Sequence, residues 1–135
     1  MGHKTCQVSI AEIVQNQDIQ DRIIEPLVID ALIQKGYYVV TQAIEPTYTL
    51  TGTIKIKKAA SQLETPTFQL AQLDSVVIKA QDKTTQTGVV SMTEPHECIG
   101  TGQTLQEAGK DVIRCLSKPL IQTIRKKLIQ TMKGK

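Results

Sequence analysis

The segment from Thr47 to Lys57 constrains this chain more than any other. Tyr48, Leu50, Gly52, Ile54 and Ile56 alternate there with Thr47, Thr49, Thr51, Thr53, Lys55 and Lys57. A period of two places the first set on one face of a strand and the threonines and lysines on the other, so the chain must build a sheet with one buried and one wet face. Such a sheet needs a second layer over its apolar side. Two helical stripes can supply it. In the first, Ile19, Ile23, Leu27 and Ala31 recur at helical spacing beside Ile24, Val28 and Leu32, with the polar stretch Gln15 to Asp18 as N-cap and Gly36 as C-cap. Pro26 requires either a kink or a short turn followed by a helix starting near it. In the second, Thr104 followed by Glu107 makes a capping box for a helix over 105–116, and Pro119 restarts a run whose inner stripe is Leu120, Ile121, Ile124, Leu128 and Met132.

The remaining strands read from the same alternation. Cys6, Val8 and Ile10 alternate with polar neighbours from Thr5 to Val14, and Tyr37 to Thr41 is rich in strand formers. Phe68 to Gln81 is a long strand whose apolar phase shifts between Leu70 and Leu73, which predicts a bulge or bend. Asp82 to Gly88 has hairpin-loop composition and Val89 to Thr93 returns. The predicted class is therefore α+β, in the order β-α-β-β-β-β-α-α, with a mostly antiparallel sheet and helices packed on the face that carries Leu50, Ile54, Val76 and Ile78. A chain of 135 residues suits one ordinary core, so residues 5–135 are expected to form a single domain. Met1 to Lys4 reads as a cloning remnant.

Several function classes are disfavoured by what is missing. With no Trp, one Phe and three Tyr, aromatic platforms for stacking nucleotides or sugars are scarce. Gly100-Thr101-Gly102 precedes a helix, but Leu105 stands where a dinucleotide fingerprint needs its third glycine, and no P-loop lysine follows. Cys98 shares a strand face with His96 and lies beside Glu97, yet a nucleophile and its base are usually drawn from separate elements, so a buried thiol or disulfide partner is the preferred reading. The acids Asp74, Asp82, Glu94 and Glu97 form no paired-carboxylate pattern. Three cysteines without CxxC spacing and only two histidines, His3 and His96, make no zinc set. No catalytic, metal or cofactor site is expected.

The net charge of +3 comes mainly from the C-terminus, where Lys118, Arg125, Lys126, Lys127, Lys133 and Lys135 have no acidic neighbour after Asp111. Arg125, Lys126, Lys127 and Lys133 are the candidate partner-binding residues, for an acidic protein, RNA or anionic lipid. The competing reading is that cations simply favour a helix C-terminus. No stretch reaches the roughly 18 apolar residues of a bilayer span.

Gly36-Tyr37-Tyr38-Val39-Val40, Tyr48-Thr49-Leu50-Thr51-Gly52-Thr53-Ile54, and Asp82 through Thr87-Gly88-Val89-Val90 together resemble a bacterial envelope family. This is the small α+β domain of curli-secretion and penicillin-binding-protein-activator lipoproteins, similar also to the N-terminal domain of the Tol-system translocation protein. Thr47 replaces the pattern's Asp, two residues lengthen the Asp82 hairpin, and Met92 replaces a common aromatic. The resemblance implies a non-enzymatic cell-envelope module that binds a protein partner or assembles with itself. It would lie in the periplasm or on the periplasmic face of the outer membrane, with a lipid anchor outside this sequence. The alternative is a cytoplasmic RNA-binding domain, because Gly100 to Ala108 resembles the opening of the last helix in double-stranded-RNA-binding domains. There, Leu105 and Gln106 occupy the places of the phosphate-gripping lysines and Glu107 adds a negative charge, so no specific nucleic acid is expected.

Cys98 and Cys115 are a candidate disulfide in an oxidising compartment. Both lie on the order of 13 to 17 Å from the Gly100 turn, one along a strand and one along a helix. Against this, a bridge needs Cα atoms within about 7 Å, whereas a helix on a sheet usually rests near 10 Å. Two buried, inert thiols are the competing arrangement.

Overall fold

The computed structural model describes residues 4–40, 46–59, 69–82, 85–93 and 98–133, less the side chains of Thr93, Thr131 and Lys133. It is α+β. Seven strands, β1 (Thr5–Val14), β2 (Gln17–Asp18), β3 (Tyr38–Val40), β4 (Tyr48–Lys58), β5 (Gln69–Gln81), β6 (Gln86–Thr93) and β7 (Ile99–Gly102), form one sheet. Its order is β2-β1-β4-β5-β6, with β3 also on β1 and β7 also on β5. The β4, β5 and β6 pairings are antiparallel, as their short connections require. β1 runs parallel to both β3 and β4, because the helix α1 (Ile24–Gln34) is the crossover that returns the chain to the same end of the sheet.

α1 and the long helix α2 (Leu105–Ile124) cover the face carrying Leu50, Ile54, Val76 and Ile78, all of which are fully buried. The opposite face presents Thr51, Lys55 and Lys79 to water. The core is aliphatic, with Tyr37 and Tyr48 meeting edge to face at 6.1 Å. The Tyr48 hydroxyl donates to the Met132 carbonyl at 2.7 Å, supplying one partner to the end of the last helix.

Several local expectations move. Gln15 to Asp18 does not cap a helix: Gln15 and Asn16 have φ of 50° and 69° and form the two-residue turn joining β1 to β2, where positive φ at both positions suits a type I′ hairpin. Of the two arrangements open to Pro26, the chain takes the turn followed by a helix beginning near it: α1 starts at Ile24, and Pro26 falls in the first turn, where its missing N–H costs nothing. Leu27 consequently leaves the core and is 38% exposed. Gly36, at φ 92°, ends the helix in a Schellman motif, its N–H on the Ile33 carbonyl and that of Tyr37 on Leu32.

The β5 bulge falls at Asp74, since Lys55 pairs with Ser75 and Ile56 with Leu73; this is just beyond the Leu70 to Leu73 interval. The chain does not restart at Pro119. α2 passes through it, and the irregularity comes later as a π-helical turn, Arg125–Ile129, before the short α3 (Gln130–Lys133). Thr41, Phe68 and the Glu94-Pro95 break lie outside the described residues.

Candidate functional site

Glu12 is the fully buried charged residue of the described core. It sits in the inward phase of β1, with Ile10 and Val14 on either side. Its carboxylate lies at the start of α1 and accepts the Ile23 N–H at 2.8 Å, the Ile24 N–H at 3.2 Å and the Glu25 N–H at 3.3 Å. The N-cap residue Ile23 has no capping side chain, so Glu12 supplies the acceptor and the favourable negative charge from the sheet. The helix returns the contact: Glu25 Oε2 accepts the Ile10 N–H at 2.8 Å and is held by Arg22 Nη1 at 2.6 Å. The two carboxylates thus clasp strand to helix. Composition gave no hint of this, but a glutamate in the buried phase of β1 was a readable signal.

The glycine turn serves packing. A Cβ on Gly100 would lie 2.0 Å from the Ala108 carbonyl oxygen, and one on Gly102 would lie 2.6 Å from the Ala108 nitrogen. The bare backbone of β7 therefore lets α2 approach far closer than a usual helix–sheet distance. That approach brings the Cys98 and Cys115 Cα atoms to 5.8 Å, and their sulfurs form a disulfide. Cys98 is buried and Cys115 exposed. The α2 N-terminus is closed by its own side chains: Thr104 accepts from the Glu107 N–H at 3.1 Å, and Glu107 accepts from the Gln103 N–H at 3.1 Å. Asp111 accepts the Thr101 N–H at 3.0 Å. His96 and Glu97 lie outside the described residues. Cys6 is a free, buried thiol whose pKa burial pushes up to about 12, which makes it a poor nucleophile.

The candidate cations separate. Arg125 is half-buried and donates from Nη2 to Gln34 Oε1 on α1 at 2.9 Å, while Lys126 and Lys127 are exposed on the π-helical turn. The Lys133 side chain lies outside the description. What the structure adds is a groove of about 430 Å³ between α1 and α2, lined by Leu27, Ser117, Lys118, Ile121, Gln122 and Arg125. Periodicity alone puts Leu27 and Ile121 in the core. The shifted helix start exposes Leu27, and Ile121 is only partly buried. A second recess, of about 580 Å³, runs along β3 past Ile33 and Tyr38. Among the described residues, no cluster of His, Cys, Asp and Glu has metal-site geometry, and no helix is long and apolar enough to cross a membrane.

No protein-family profile and no curated protein matches this chain. Among solved structures it is similar to a dodecamer of a PelC point variant from Paraburkholderia phytofirmans, at 17% identity and a TM-score of 0.36, over 86% of this chain and 87% of that one.

Proposed function

We propose that the chain is a non-enzymatic module of the bacterial cell envelope that works by binding a protein partner or by assembling with itself. The observation that carries this reading is the Cys98–Cys115 bridge between β7 and α2. Disulfides form and persist in the periplasm and at cell surfaces, whereas cytosolic thiols are kept reduced. The motifs from Gly36 to Val90 that resemble envelope lipoprotein domains point to the same compartment. A binding role agrees with the accessible features of the described residues, which include a charged inter-helix groove and a half-wet sheet.

No observation favours the RNA-binding alternative. At the positions where that family grips phosphate, this chain has Leu105, which is half-buried, and Gln106, which donates to Gln17.

The test is to lyse cells directly into denaturant containing an excess of a mass-tagging thiol reagent and no reductant, and to count the tags on the chain. One reactive thiol, Cys6, supports an oxidising location; three reactive thiols argue for the cytoplasm. Crosslinking in envelope fractions should give a discrete adduct or a ladder of the chain's own multiples. Recovery of ribosomal material alone would count against the proposal.

A further inference from the structure

We infer that the groove between α1 and α2 is a docking site for an acidic, amphipathic helix of a protein partner, an inference that rests on the protein-binding reading above. Its walls are two helices with a shallow cleft between them, the setting in which a third helix can lay an apolar side chain. The floor offers one from each wall, Leu27 and Ile121. Along α2 and into the π-helical turn that continues it, Lys118, Ile121, Gln122 and Arg125 recur at the i, i+3, i+4 and i+7 spacing of one helical stripe, so charge and apolar contact repeat along the same line.

Near the starts of α1 and α2 two cations have acidic partners: Arg22 pairs with Glu25 and Asp18, and Lys110 lies 3.7 Å from Asp21. In the groove there are two cations and no acid, and among the described residues no carboxylate pairs with Lys118 or Arg125. The one side-chain hydrogen bond described for Arg125 goes to a neutral amide, Gln34, which fixes the guanidinium at the rim while leaving other N–H groups to donate. A positioned guanidinium beside an apolar floor is suited to a carboxylate presented next to an aliphatic side chain. At about 430 Å³ the groove holds a few side chains, and its concavity fits a helix better than the broad, flat surface of a bilayer.

The experiment is an NMR titration of the isotope-labelled full chain with a synthetic helical peptide carrying leucines at i and i+4 flanked by glutamates. Its counterpart has glutamine for every glutamate, and vesicles of phosphatidylglycerol provide the membrane arm. The glutamate peptide should shift the amides around Leu27, Lys118, Ile121 and Arg125, and the glutamine peptide should bind at least about tenfold more weakly. Lys118→Glu and Arg125→Glu should each weaken the glutamate peptide by a comparable factor. Lys55→Glu makes the same change of charge on the exposed face of the sheet and should leave binding unchanged.

Equal binding of both peptides, equal weakening by Lys55→Glu, or shifts confined to other surfaces would overturn the inference. So would vesicles engaging these residues while the peptide does not. An envelope partner whose capture survives both groove reversals would sink the groove and leave the proposed function standing. The absence of any partner or self-assembly would sink the function.

Discussion

Two buried side chains set the chain's sensitivity at the scale of single residues. Glu12 accepts three backbone N–H groups that have no other partner at the start of α1. Removing the acceptor leaves buried donors unsatisfied, which costs about 1 to 3 kcal/mol for each group fully desolvated. Glu12→Ala should therefore lower the urea midpoint by the equivalent of about 3 kcal/mol, and Glu12→Gln, which keeps one acceptor oxygen, by less. A loss below half a kcal/mol for the alanine variant would mean the clasp contributes nothing net. Cys6 acts through pH. Its folded pKa is raised by burial from 9.0 to about 12, so between those values the unfolded chain releases a proton that the folded chain keeps. Stability from this group is complete below pH 9 and is lost as pH rises towards 12, at up to about 1.4 kcal/mol per pH unit. Burial raises the Tyr37 phenol as well, so the informative quantity is a difference. Cys6→Ala should be less stable at neutral pH yet show a shallower decline between pH 9 and 11; parallel declines would contradict the assignment. Cys6 was readable as an inward residue of β1. Glu12 was visible only as a glutamate in the inward phase of β1, and its role was not, because nothing local pairs that residue with a helix start more than ten residues away.

At the scale of elements, the join between β7 and α2 has two parts that depend on each other. Gly100 permits the close approach, and the disulfide fixes it. A bridge spanning 17 residues is worth about 3 kcal/mol by loop-closure entropy. In Gly100→Ala the new methyl meets helix backbone rather than a flexible side chain, so α2 must shift outward and strain the bridge. Measured by denaturant unfolding, the triple change Gly100→Ala with both cysteines as alanine should cost less than the sum of its parts by about 1 kcal/mol or more. Simple additivity would show that the glycine and the bridge act separately. The same join explains the limits of sequence reading here. A typical helix–sheet spacing is too wide for the bridge, and the two glycines of one short strand make the spacing here atypical. The strands over Thr5–Val14 and Tyr48–Lys58, and the capping box at Thr104, were legible because alternation and capping are local signals. The start of α1 was legible as one of the two arrangements Pro26 allows, but the passage of α2 through Pro119 was not, since tertiary packing on an apolar face can hold a helix that a local breaker would end.

For the whole molecule, the antiparallel half of the sheet followed from short connections, while the parallel pairing of β1 with β4 was not legible because nothing local marks a long-range partner. Charge at this scale is mild, and the cations are spread between helix termini and the outer sheet face rather than gathered in one stripe. Duplex RNA retained on the protein at low salt should therefore be lost near physiological ionic strength, without sequence preference. Retention above that, abolished by changing Lys126 and Lys127, would restore the nucleic-acid reading.

The clasp between Glu12 and Glu25 also bears on how copies of the chain can meet. Along the outer side of β1, the backbone is met in turn by three residues of β3, the Glu25 carboxylate at Ile10, the Ile19 N–H at the Glu12 carbonyl, and two residues of β2. That rim is broken into pieces too short to template an incoming strand. The eight residues of β6 form the long margin at the other end of the sheet order. A polymer that grows by adding sheet to sheet needs a donor margin and an acceptor margin on every subunit, and the described residues offer one of the two. Strand-edge association of two copies through this described margin joins β6 to β6 about a two-fold axis, which closes after a single step instead of extending into a fibre.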